Sequence, residues 1–108
     1  MWLTADVHYT AAHRYDPTHA RFTEFDPFWE FVSGPINAGT FGPNTLDETF
    51  GPTVVFQKSS DGKGLQAPNA GMQFFGEVEI DGKTEEMTVR LRNVGGDTLF
   101  RQAIAPLR

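Results

Sequence analysis

The chain has 108 residues, 39% of them hydrophobic, and a formal net charge of -5. That length supports one small domain, with ten Phe and two Trp supplying much of any core. Without cysteine there is neither a disulfide framework nor a thiolate metal site. Acidic residues outnumber basic ones and no Lys/Arg run occurs, which argues against a nucleic-acid partner. No apolar stretch approaches the ~18 residues of a membrane helix, which argues against a membrane-spanning one.

In chain order, Trp2 to Tyr9 alternates as a strand would. Leu3, Ala5 and Val7 fall on one face; Trp2, Thr4, Asp6 and His8 fall on the other. Met1 to Asp6 has no basic start and no long apolar middle, so it does not read as a signal peptide. It reads as chain already inside a strand, which leads to the expectation of a truncated start. Thr10 to Asp26 is polar and reads as loop. A helical turn is expected around Pro17-Thr18-His19-Ala20, with Asp16 as N-cap and Pro17 at N1.

Phe28 to Val32 predicts a short aromatic strand stopped by Ser33-Gly34-Pro35. Asn37 to Pro52 is a Gly-, Pro- and Asn-rich loop, Thr53 to Lys58 a β-branched and aromatic strand, and Ser59 to Gly71 a second open loop. Gln73 to Ile80, Glu86 to Arg92 and Thr98 to Ala105 predict a three-stranded antiparallel meander, turned at Asp81-Gly82-Lys83 and Gly95-Gly96-Asp97. Pairing Val78 with Val89 sets Glu77 opposite Arg90, a favourable cross-strand pair. The fold class is therefore mainly β, α+β at most.

Asp6 and His8 are the best candidates for chemistry. Two residues apart on a strand they project to the same face, with Cα atoms roughly 6.5–7 Å apart, so both can reach one metal or two adjacent ones. Carboxylate oxygen with imidazole nitrogen suits Zn, Fe or Mn better than Ca alone. On spacing alone, an Asp and a His satisfied by backbone or water is the favoured reading. His13 is a possible further ligand or substrate contact, although a surface-loop histidine is the simpler account. Tyr9 can donate to a phosphate oxygen; a half-buried aromatic at a strand end is the simpler account there. Glu30 lies between Trp29 and Phe31. A carboxylate buried there must be paired, protonated or metal-bound, whereas period-2 alternation lets it face outward with Phe28 and Val32.

The run Trp2-Leu3-Thr4-Ala5-Asp6-Val7-His8-Tyr9-Thr10-Ala11-Ala12-His13 resembles the alkaline phosphatase D family of calcineurin-like metallophosphoesterases. The resemblance continues through Phe25 to Pro35, Asn37 to Asn44 and Gly71 to Gly76. It implies a sheet sandwich flanked by helices and an exported parent, periplasmic or extracellular. It also implies hydrolysis of phosphate monoesters and diesters by a metal-bound hydroxide, with iron and calcium as cofactors. Asp6 and His8 match the family's last metal motif, although Ala5 stands where Gly is usual. The earlier Asp-containing and Asn-His motifs of the family have no counterpart here.

The whole chain, 1–108, is therefore expected to be the C-terminal segment of a larger metallophosphatase domain. A dinuclear site needs ligands around two ions, so the isolated chain is expected to be inactive and not to hold metal tightly. The competing expectation is a non-catalytic β-rich module. Either way, exposed strand edges predict a homo-oligomer.

Overall fold

The computed structural model describes residues 1–107. Seven strands build two sheets: β1 (Trp2–Thr4), β2 (Thr10–Tyr15), β3 (Phe28–Val32), β4 (Thr53–Lys58), β5 (Phe74–Ile80), β6 (Met87–Asn93) and β7 (Thr98–Ile104). The first sheet has the order β1-β3-β2-β4 and the second the order β5-β6-β7. Among the described residues helix is confined to two single 3₁₀ turns, Pro17–His19 and Pro68–Ala70, so the chain is mostly β.

In the first sheet β1 runs parallel to β3, while β2 is antiparallel to both β3 and β4. His13 pairs with Glu30, and this puts Ala11, His13 and Tyr15 on the face that carries Phe28, Glu30 and Val32. Ala12 and Phe31 take the opposite face and meet Val89 and Leu91 of the second sheet in one buried cluster. Phe56 and Phe100 stack across the same interface at 5.3 Å. The molecule is thus a two-layer sandwich, only 16 Å across its shortest axis, in keeping with sheets packed roughly 10 Å apart.

The meander folds as its alternation predicts. Val78 lies opposite Val89, and Glu77 opposite Arg90. Arg90 reaches Glu77 at 3.0 Å and Glu79 at 2.9 Å, and Arg92 reaches Glu77 at 3.1 Å. The Asp16 carboxylate caps the first 3₁₀ turn by accepting from the Thr18 N–H at 2.9 Å, with Pro17 in the first turn as expected.

Two local expectations are corrected. Thr10–Tyr15, read as loop, is one of the two interior strands of its sheet. Its Ala, His and Arg have little intrinsic strand preference; pairing on both edges supplies it. The strand expected to run from Trp2 to Tyr9 stops at Thr4. Asp6 and His8 adopt φ of 73° and 61°, left-handed values that no strand accommodates.

Candidate metal and substrate cleft

Asp6 and His8 are not placed by a period-2 strand. They sit on a turn after β1, flanking Val7, each in the left-handed region that costs a non-glycine residue free energy and concentrates at functional positions. Thr4, the last residue of β1, is held on two sides. Its carbonyl accepts from the Ser33 N–H at 3.0 Å, and its hydroxyl donates to Glu30 Oε1 at 2.8 Å. The turn therefore departs from a fixed point.

His8 is oriented by the loop that follows β3. Its Nδ1 lies 2.6 Å from the Gly39 carbonyl oxygen. A carbonyl can only accept, so Nδ1 carries a proton, and in the neutral imidazole Nε2 then keeps its lone pair. Metal-binding histidines commonly have this arrangement, with the second ring nitrogen donating to a backbone carbonyl. The imidazole also stacks on Phe41 at 4.7 Å, and the Phe41 N–H donates to the His8 carbonyl at 3.3 Å.

The loop in turn is anchored to the start of the second sheet. The Gln73 side chain, buried at the entrance to β5, accepts from the Ala38 N–H at 3.1 Å and donates to the Ala38 carbonyl at 2.8 Å. Thr40, also buried, exchanges two 2.8 Å backbone bonds with Gln66, and its hydroxyl donates to the Met72 carbonyl. Phe74 donates to the Pro35 carbonyl at 2.7 Å. Gln73 is the residue that local pattern missed. The signal for it was the Gly71 to Gly76 stretch of the family resemblance, which named the segment without naming a role.

Asp6, His8, Ser33 and Asn37 open on a shared cleft of about 450 Å³, within the size range of small-molecule sites. Asp6 is exposed and His8 is partly buried. Among the described residues, no group of three or more His, Asp or Glu is arranged to hold an ion. Asp6 and His8 bring a carboxylate and an imidazole to the cleft, donor types a metal takes; the described residues do not close a coordination shell.

The other two candidates lie elsewhere. Tyr9 is 2% exposed and packs with Val7, Ala11 and Val32. Gly42, at φ 103°, comes so close that a Cβ there would stand 2.8 Å from the Tyr9 ring, which calls for glycine on both counts. His13 is likewise 2% exposed, on β2 rather than in a loop. Its Nδ1 donates to Glu30 Oε2 at 3.1 Å, and its Nε2 is buried without a partner among the described residues.

Glu30 does share a face with Phe28 and Val32, but it is not solvated. Its carboxylate accepts from Thr4, His13 and Tyr15, the last at 2.6 Å. The His13 hydrogen bond leads in holding it down to about 2, with those of Tyr15 and Thr4 assisting against the opposing effect of burial. Tyr15 is pushed upward, by burial first and by Glu30 second. The half-buried carboxylate is therefore ionised and paired.

Compared with known proteins, residues 1–91 match the PhoD-like phosphatase family. No curated protein and no solved structure matches the chain. With the match spanning most of its length, the chain belongs to the PhoD-like phosphatase family.

Proposed function

We propose that this PhoD-like phosphatase chain contributes Asp6 and His8 as ligands to the metal centre of a phosphoesterase whose remaining ligands lie outside the residues described. The observation that carries this reading is the His8–Gly39 hydrogen bond, which in the neutral ring leaves the Nε2 lone pair for a metal, in a cleft that the exposed Asp6 also lines. The left-handed backbone at both positions supports it, because strain of that kind is kept where a side chain must be aimed. Family membership supports it independently.

A metal bound there would supply Lewis acidity and an activated water for phosphoryl hydrolysis. The chain's own residues do the positioning. Gly39 fixes the His8 tautomer, Phe41 fixes its ring plane, and Thr4 fixes the strand end from which Asp6 departs. Iron with calcium and an exported parent belong to the same proposal, and so does inactivity of the chain by itself, since two ligands do not complete a hydrolytic centre.

Metal analysis of the purified chain after loading with iron and calcium tests the assignment. Wild-type chain should retain metal that the Asp6→Asn, His8→Ala double variant loses. Equal metal in both proteins would refute it, and full phosphodiesterase activity from the wild-type chain alone would refute the shared centre.

A second reading, a self-associating β module, is supported by a different feature. A cleft of about 350 Å³ opens between the sheets, lined by Leu3, Val78 and Val89 among others, and Leu3, Val78 and Ile80 are all exposed. Apolar surface next to an unpaired strand edge favours association. Light scattering should give a dimer or larger; a monomer at high concentration would exclude this reading.

A further inference from the structure

The cleft beside Asp6 and His8 is lopsided in its chemistry. Apart from those two residues, Ser33 and Asn37, its lining is carbon-rich; Ile36, Ala38 and Phe75 keep accessible surface there, while Pro35 and Phe74 are buried. Among the described residues no Lys or Arg lines it. A phosphate group is ordinarily gripped by guanidinium, ammonium or converging N–H donors, so this wall is poorly suited to the phosphate. It is well suited to whatever organic group the phosphate carries.

The wall is also largely preformed. Phe74 is buried and its N–H holds the Pro35 carbonyl at 2.7 Å; Pro35 is buried as well. Ala38 is held by the Gln73 amide. Ile36 is the exception. It is 69% exposed, on the rim of the cleft, with apolar surface that a ligand could cover. Covering such surface favours binding in proportion to its area, and a wall already held in place adds little ordering cost.

We infer that this cleft is the pocket for the organic alcohol portion of a phosphate ester, that it selects aryl and alkyl esters over inorganic phosphate, and that Ile36 is a specificity-determining residue. The inference rests on the reading of Asp6 and His8 as metal ligands for the direction in which the phosphate lies. It does not need that reading for the apolar preference itself.

The test uses the full chain, with phenyl phosphate and inorganic phosphate as probes. Affinities are measured by NMR titration, with and without iron and calcium, for wild-type, Ile36→Ser and Ile36→Leu proteins. Ile36 is exposed, so neither substitution threatens the core. Phenyl phosphate should bind about tenfold more tightly than phosphate. Ile36→Ser should reduce that selectivity about fivefold by removing one apolar surface, and Ile36→Leu should restore it. Failure of phenyl phosphate to bind, no preference over phosphate, or selectivity indifferent to Ile36→Ser would each overturn the inference. A preference that depends on Ile36 but persists without metal would keep the apolar pocket, and would leave the ligand assignment to the Asp6 and His8 metal analysis. Metal held by Asp6 and His8 without any phenyl preference would keep the ligands and sink the pocket.

Discussion

The Gln73 side chain holds Ala38 at both of its backbone groups, accepting from the N–H at 3.1 Å and donating to the carbonyl at 2.8 Å. One residue further along, the Gly39 carbonyl accepts the proton of His8 Nδ1. A buried amide at the entrance to the second sheet therefore sets the loop that sets the histidine.

Replacing Gln73 with Ala leaves the Ala38 N–H and carbonyl without that partner. An unmet buried polar group costs roughly 1–3 kcal/mol, and a loss of that size is expected in urea unfolding. Hydrogen exchange carries the sharper expectation. The Ala38 amide should exchange faster by more than the global destabilisation accounts for, because the loop opens locally. Equal acceleration at Ala38 and at Val89 would show that Gln73 supports the whole fold and not the loop in particular.

Glu30 gives the protein a pH dependence in the acid range. Its folded value is about 2, against an ordinary 4.5. A depressed carboxylate contributes stability above its unfolded value and loses it as pH falls toward the folded one. The contribution should be complete above about pH 5 and should fade between there and pH 2, by roughly 3 kcal/mol. Denaturant midpoints measured from pH 2 to 6 should slope in wild type. In Glu30→Gln the slope should flatten, with lower stability at neutral pH because His13 and Tyr15 lose an ionised acceptor.

Asp6→Gly separates folding from site chemistry. Glycine adopts the left-handed value of 73° without the steric cost that an L side chain meets. After allowing for the greater freedom of glycine in the unfolded chain, thermal unfolding should show a gain of about 0.5–1 kcal/mol. Metal retention should fall at the same time. A variant that loses stability instead would mean that the Asp6 side chain makes a structural contribution beyond its proposed ligand role.

The three strands of the meander were legible because alternation and turn residues are local. Val78 opposite Val89 and Glu77 opposite Arg90 follow from period 2 and the position of the turn. The strand Thr10–Tyr15 was not legible, because it owes its state to partners that lie 13 or more residues away in sequence. Asp6 and His8 were read as donors on the wrong backbone: nothing in Asp-Val-His announces two left-handed residues. The Gln73–Ala38 and His8–Gly39 links each span more than 30 residues. No window of local pattern contains them; only the family resemblance marked the segments involved.

The long reach of those two links bears on the order of events during folding. Closing a loop of 30 residues costs entropy before any contact repays it, and contacts of high sequence separation tend to be made late. The β5–β6–β7 meander can form from neighbouring chain, whereas His8 acquires its orientation only after β1, the Gly39 loop and the entrance to β5 have come together. The cleft is then among the last parts of the molecule to mature. A spectroscopic probe placed on His8 would register completion of the fold, and a probe on Val89 its beginning.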